Sequence, residues 1–259
     1  MNILFTVCGR AGSKGIKNKN VKTFLSYPLP YYTFSVISQY LEGNKNDDVD
    51  IALNTDSKEL IAIANNNPFI DIHVVDREKE LAGDFVAKCS VILDTFNKMQ
   101  NKLNKKYDMI VDLDLTSPLR TPQDLQNLIA KQKELCPDVT FSVTSSRRNP
   151  FFNMVMKTEK GICQVIKSDY VSRQQAPTVY DMNASLYAYK PEFLLSGKGV
   201  LEGRSEIIEM FDTAVLDLDH ENDFVLMQVI ADYLFKNRPE FIDVYNYLET
   251  NYKNSVKAK

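Results

Sequence analysis

Within one short stretch near the N-terminus the chain places Gly9, Arg10, Gly12, Ser13, Lys14, Gly15, Lys19 and Asn20, although it has only nine glycines in all. Glycine is used where backbone takes positive φ or approaches a ligand closely, so a scarce residue gathered in one place marks a specialised loop. Backbone N–H groups turned into a concavity, with Arg10, Lys14 and Lys19 adding charge-assisted donors, form a receptor for an oligophosphate. No G-K-[ST] ends the stretch and no G-x-G-x-x-G occurs, so it is neither a Walker A loop nor a dinucleotide fingerprint. The same composition also describes a solvated lysine-rich turn.

The second group is acidic. Asp217 and Asp219 stand at i and i+2 in VLDLD. On a strand such a pair shares one face and can hold a hard cation through oxygen; Mg²⁺ takes one or two protein carboxylates and leaves its other positions to water and phosphate. Asp112 and Asp114 repeat the spacing, and two such pairs beside a phosphate loop point to metal-assisted phosphate chemistry, although acidic strand ends are also common without any metal. Arg173 and Gln174, with Asn183 further on, have the hydrogen-bonding reach for a carboxylate and sugar hydroxyls, and would serve equally as loop caps. Arg147-Arg148-Asn149-Pro150 is either a solvated turn or an anion contact, and DREKELAGD at 76–84 reads by itself as a charged turn before a helix.

These residues need elements to hold them. ILFTVC at 3–8 is a short apolar, β-branched run of the kind buried on both faces of a parallel sheet, and the glycine loop follows it directly. Ligands bind at the carboxyl ends of such strands. Residues 31–41 have helical spacing closed by Gly43, 50–54 and 71–75 read as strands around a helix at 57–66, 85–103 as a helix and 108–113 as a strand. A helix entered at Pro122 with Asp124 in its first turn and a strand at 139–143 follow. Strands alternating with helices predict an α/β three-layer sandwich with a mainly parallel sheet. From 147 to 190 the rhythm gives way to short strand-like pieces at 152–157, 162–166 and 184–189, a β-rich insert suited to substrate contact or self-association. A strand at 213–218 and a helix at 221–236 then restore it, and the tail from Asn251 is expected to fray.

Composition narrows the class. The 259 residues are 44% hydrophobic and carry 31 Lys+Arg against 34 Asp+Glu, a net charge of −3, which excludes a disordered chain and gives no basic excess for nucleic acid. MNILFTVC lacks the basic segment and cleavage pattern of a signal peptide, and no apolar run approaches the roughly 18 residues that span a bilayer, so the expectation is a cytoplasmic protein with no membrane partner. Cys8, Cys89, Cys136 and Cys163 are scattered without a C-x-x-C pair and read as reduced, mostly buried small hydrophobes. His73 and His220 are too far apart in sequence to suggest a histidine metal site.

Taken in order, GRAGSKGIKNKN at 9–20, LNTD at 53–56, RxxELAGD at 77–84, LTSPLRTPQDL at 115–125, RQQ at 173–175, MNASLY at 182–187 and LDLD at 216–219 resemble the acylneuraminate cytidylyltransferases over nearly the whole chain. That family includes CMP-sialate, CMP-legionaminate, CMP-pseudaminate and, more distantly, CMP-Kdo synthetases. The resemblance implies a single cytidylyltransferase domain over 1–259 with the Rossmann-like sheet of nucleotide-diphospho-sugar transferases. It also implies a homodimer in which the 147–190 insert covers the partner's site. The implied reaction is Mg²⁺-dependent transfer of CMP from CTP to the anomeric hydroxyl of a nonulosonic acid. Gly9, Arg10, Gly12, Ser13, Lys14 and Lys19 match triphosphate-loop positions, and Asn20 and Arg77 match positions near the nucleoside. Asp217 and Asp219 match the metal pair, which with Arg10 and Lys19 would be catalytic. Asp114, Asn153, Arg173, Gln174, Asn183 and Tyr187 fall at the sugar-acid pocket. Asp114 where sialate-activating members carry glutamine, RRNPFFNM at 147–154 without their lysine, and MNASLY in place of N-G-A-I-Y look more like the legionaminate-type branch. Two alternatives are a nucleotidyltransferase acting on Kdo, pseudaminic acid or a sugar phosphate, and a non-catalytic nucleotide-sugar-binding protein.

Overall fold

Alternation of side chains along the first strand decides the layering. In the computed structural model, which describes residues 1–12, 15–83, 85–212 and 217–257, β1 (Asn2–Cys8) points Ile3, Phe5 and Val7 to one face and Leu4 to the other. The first face packs on helices α1 (Leu29–Gly43), α2 (Lys58–Asn65), α4 (Pro122–Leu135), α6 (Glu221–Asn237) and α7 (Pro239–Lys257). The second packs on α3 (Lys88–Leu103) and α5 (Pro191–Leu195). This is the expected α/β/α sandwich.

The sheet has seven strands. β1 lies between β4 (Asp48–Thr55) and β6 (Met109–Asp114), with β5 (His73–Asp76) outside β4. Beyond β6 come β10 (Tyr180–Tyr189), β7 (Val139–Ser145) and β11 (Ser205–Glu209). β10 runs antiparallel to both its neighbours and the other pairings are parallel. Two small hairpins accompany the sheet, β2 (Thr23–Phe24) with β3 (Tyr27–Pro28) and β8 (Val155–Thr158) with β9 (Gly161–Gln164).

Local chemistry sets several boundaries as expected. Ser57 caps α2 by accepting from Leu60 N at 3.2 Å, and Thr121 with Asp124 forms a reciprocal capping box in front of Pro122. Other expectations change. The piece at 184–189 belongs to the ten-residue strand β10 inside the main sheet, so the insert is 146–179 and its only regular structure is the β8–β9 hairpin. β10 is exposed over Tyr180–Met182 and mostly buried from Asn183 to Tyr189, with a register shift between Met182 and Tyr187, so its burial follows no simple alternation along the sequence. β11 was not foreseen. Of the strand expected at 213–218, residues 213–216 lie outside the described residues and Asp217–Leu218 have no regular structure. The tail is helical to Lys257 because Phe241, Val244 and Leu248 give α7 an apolar face that docks on the core. Two of the four cysteines, Cys136 after α4 and Cys163 on the hairpin, are exposed rather than buried. Among the described residues no helix is long and apolar enough to cross a membrane.

Arg120 ties the centre together. It is 1% exposed, and its guanidinium donates to Ser185 Oγ at 3.0 Å, to the Ser185 carbonyl at 2.9 Å and to the Asp114 carbonyl at 2.9 Å. Burial pushes its pKa down to about 10, against the pull of Asp114, Asp124 and Asp112. It thereby joins β6 to β10 at the strand end that carries Asp114. We predict that Arg120→Met lowers the unfolding free energy by about 3 kcal/mol, because two buried carbonyls lose their donor, and that Arg120→Lys recovers little of it, since one ammonium cannot span the same acceptors. Urea denaturation checks this; a midpoint unchanged in Arg120→Met would refute it.

Candidate active site

The glycine loop leaves β1 at the sheet's carboxyl edge, and its path is fixed by close contacts. Gly9 N donates to the Asn54 carbonyl at 3.1 Å, and a Cβ at Gly9 would stand 2.6 Å from Leu60 Cδ2 and 2.7 Å from Leu115 Cδ1. Gly12 has φ +70°, the left-handed region that favours glycine. Ala11 N donates to Asp56 Oδ1 at 2.7 Å, and Asn20 Nδ2 to the Arg10 carbonyl at 3.1 Å. Ser13 and Lys14 lie outside the described residues.

The loop meets the acidic pair across 199 residues of sequence. Lys19 Nζ donates to the Leu218 carbonyl at 2.7 Å. A Cβ on Gly15 would fall 2.0 Å from the Asp219 carbonyl oxygen, so only glycine permits this approach. Asp223, in the first turn of α6, accepts from His220 N at 2.7 Å and from Asp219 N at 3.2 Å, which fixes the segment from its other side. Asp217 and Asp219 are both exposed. Burial first, then the carboxylates of Asp219 and Asp114, hold the Asp217 pKa above its ordinary value, against the nearby Lys19. Carboxylates that repel one another form a hard-oxygen donor set that a divalent cation relieves, so the residues fit Mg²⁺. Among the described residues no cluster of three or more His, Cys, Asp or Glu forms a fuller metal cage.

Between the loop and β6 lies a cavity of about 260 Å³. Arg10, Lys19, Asn20, Arg77 and Asp114 all line it, so five of the residues named from sequence come together in one wall. Arg77 is held in place by Asn54 of the LNTD segment, donating to its Oδ1 at 2.8 Å and its carbonyl at 3.0 Å, and burial lowers its pKa.

Sequence reasoning missed Lys88. This first residue of α3 also lines the cavity, and its ammonium sits 2.8 Å from Asp112 Oδ2 and 2.8 Å from Asp114 Oδ2. The second D-x-D pair therefore holds a lysine of the chain. Asp112 is fully buried and also accepts from Thr6 Oγ1 at 2.8 Å. Asp114 Oδ1 accepts from Thr116 N at 2.7 Å and Thr116 Oγ1 at 2.6 Å. Burial works to raise the Asp114 pKa, but Lys88 and Thr116 hold it well below the usual carboxylate range. Burial works likewise to lower the Lys88 pKa, and Asp112 with Asp114 outweigh it and hold the group above its ordinary value. The signal that points to Lys88 is electrostatic: two carboxylates on one face of a central strand demand a cation, and Lys88 opens the helix packed on that face.

The expected sugar-acid residues are dispersed. Asp114 lines the cavity, but Lys88 and Thr116 occupy both its oxygens. Tyr187 stands beside Asp112 across the β6–β10 ladder, its ring stacked on Tyr189. Asn183 is 2% exposed and engaged with Ser142 Oγ at 2.5 Å and Met210 Sδ at 3.4 Å. It faces the core from its inward position on β10. Asn153, Arg173 and Gln174 are exposed on the insert, away from the cavity wall. There Asn153 Oδ1 accepts from Asn149 N at 2.8 Å and Arg173 donates to the Ser146 carbonyl.

Comparison with known proteins agrees with this geometry. A family model described as cytidylyltransferase matches residues 4–238. The post-translational flagellin modification protein B of Campylobacter coli is 30% identical over 233 residues, covering 88% of this chain and 94% of that protein. The CMP-N,N'-diacetyllegionaminic acid synthase of Campylobacter jejuni is 30% identical over 228 residues, with the same coverage of 88% and 94%. Among solved structures, a CMP:2-keto-3-deoxy-manno-octonic acid synthetase complexed with CTP superposes with a TM-score of 0.62 at 11% identity, over 90% of this chain and 99% of that one, a likeness of fold. With the sheet, the loop and the family match in agreement, the chain belongs to the cytidylyltransferase family.

Proposed function

We propose that this protein transfers CMP from CTP to the anomeric hydroxyl of a nonulosonic acid, releasing pyrophosphate, with a legionaminic-type acid as acceptor. The observation that carries the reading is the junction of the glycine loop with the Asp217–Asp219 segment, which joins cationic donors for a triphosphate to a carboxylate pair for a metal. Identity to the Campylobacter jejuni synthase and the departures at Asp114, 147–154 and 182–187 support the legionaminic type. The expected location is the cytoplasm, where CTP is available.

In this reaction the anomeric oxygen forms a bond to the α-phosphorus, the α–β phosphoanhydride bond breaks, and the hydroxyl proton passes to solvent. Arg10 and Lys19, with Ser13 and Lys14 of the same loop, hold the triphosphate and stabilise the charge that accumulates on the departing pyrophosphate. Gly9 and Gly12 let the loop backbone turn close to those phosphates. Asn20 and Arg77 orient the nucleoside. Asp217 and Asp219 would hold Mg²⁺, which supplies Lewis-acid charge neutralisation at the phosphate and lowers the pKa of the attacking hydroxyl. No side-chain nucleophile is required. Burial raises the Cys8 thiol far above its ordinary value, and this keeps the one cysteine in the cavity wall protonated.

The insert completes the reading. Val155, Ile162 and Val171 are 63%, 67% and 81% exposed, an apolar surface suited to burial against a second copy, and Asn153, Arg173 and Gln174 sit beside it where they could meet a partner's acceptor. We infer a homodimer, checked by light scattering at micromolar concentration, where a monomer would sink it.

Two activity outcomes test the core. With CTP, Mg²⁺ and a panel of nonulosonic acids, pyrophosphate release is expected to depend on the acid, and Lys19→Ala or Asp217→Ala should each lower kcat by about 100-fold, the loss of one aligned donor or ligand. Full turnover in either variant refutes the mechanism. Gly15→Ala should lower turnover by about tenfold or more and also lower the unfolding midpoint, because its methyl group displaces the Asp219 backbone beside the acidic pair. An active Gly15→Ala enzyme would show that the loop and the acidic segment work independently.

A further inference from the structure

Lys88 has no role in the reading above, yet it lies in the same wall as Arg10, Lys19 and Arg77. A lysine ammonium carries three donors and no acceptor. The ammonium donates to Asp114 Oδ2 at 2.8 Å and is ion-paired with Asp112 Oδ2 at 2.8 Å, and the two carboxylates together fix the rotamer. The side chain keeps 33% exposure, so one proton is left for the cavity.

Position along the sheet edge says which ligand it meets. The strand order runs β10, β6, β1, β4. The glycine loop follows β1, and Arg77 is anchored on Asn54 of β4, so the nucleotide half of the cavity lies on that side. Lys88 sits on the β6 side, beside Asp114 and Thr116, and its partner Asp112 stands opposite Tyr187 of β10, the strand by which the chain returns from the insert. That is the acceptor half. Its charge is already matched there: Lys88 and Arg120 stand against Asp112 and Asp114, two cations for two carboxylates. A ligand anion would gain little beside Asp114, and a ligand ammonium would face a donor. A neutral oxygen fits both conditions.

Resting on the cytidylyltransferase reading, we propose that Lys88 determines acceptor specificity, its third ammonium proton binding a neutral oxygen of the sugar acid, an acyl-amide carbonyl or a hydroxyl. Asp112 and Asp114 are positioning residues for it. Asp114 then reaches the acceptor through Lys88 and not directly, which removes the repulsion its charge would otherwise cause.

The test is steady-state pyrophosphate release by the wild-type protein and Lys88→Met, with CTP and the acid varied separately, and with an N-acylated acid compared to its de-N-acylated amine. Lys88→Met is expected to raise KM for the acid by about tenfold or more, the worth of a hydrogen bond to a charged donor, and to leave KM for CTP within about twofold. If the bonded oxygen is the acyl carbonyl, the wild type prefers the acylated acid and Lys88→Met loses that preference. A hydroxyl contact raises KM equally for both forms. Should the single variant fail to fold with Asp112 unpaired, Lys88→Met/Asp112→Asn removes the orphaned charge and is read in the same way. An effect confined to CTP, one shared equally by both substrates, or none at all overturns the proposal while leaving the function intact. A wild-type protein inert with every acid overturns the function, and this proposal with it.

Discussion

A carboxylate buried at zero exposure in the central strand governs the architecture of the site. Asp112 lies on β6, flanked by β1 and β10, where an unpaired charge costs several kcal/mol, so the fold must deliver a cation to it. Lys88 does this from the start of α3, and the same ammonium holds Asp114 at the strand end. Thr6 from β1 and Arg120 behind Asp114 complete the set. Strand order, the entry of α3 and the placement of β10 are thereby coupled to one charge-balanced cluster beneath the cavity.

On that base the site is assembled from two halves with different physics. The β1–β4 side is built by backbone: a glycine loop held by Asn54 and Asp56, with Arg77 locked on Asn54. Its fit to the Asp217–Asp219 segment depends on the missing side chain of Gly15 and on Lys19 capping the Leu218 carbonyl. The β6 side is built by side chains whose charges cancel, Lys88 and Arg120 against Asp112 and Asp114. On the proposed function, a glycine loop for the triphosphate would stand beside a neutral polar wall for the sugar.

The insert belongs to neither half. Its hairpin is exposed on every strand residue but Gln164, and apolar side chains such as Val171 remain in solvent. A single chain therefore leaves Arg173 and Gln174 outside the wall they were expected to join. The shorter extent of the insert, 146–179, follows from β10 being recruited into the main sheet by Arg120 and Ser185.

Much of this was legible from residue types alone. Short apolar runs and helical spacing identified β1, β4, β6, β7 and the helices between them, because burial on both faces of a parallel sheet leaves continuous apolar runs. Scarce glycines marked the loop, and the i, i+2 aspartates marked the acidic segment. What tertiary structure decided were contacts with no sequence periodicity. Lys88 reads as an ordinary first-turn lysine until α3 is laid across β6. Asn183 reads as a ligand until β10 turns it toward Ser142. Asp112 and Asp114 read as a repeat of the acidic spacing, and only the fold shows that Lys88 pairs with both. Charge can be counted along a chain, but which charges neutralise one another depends on strand order and helix crossing, and only the folded sheet sets those.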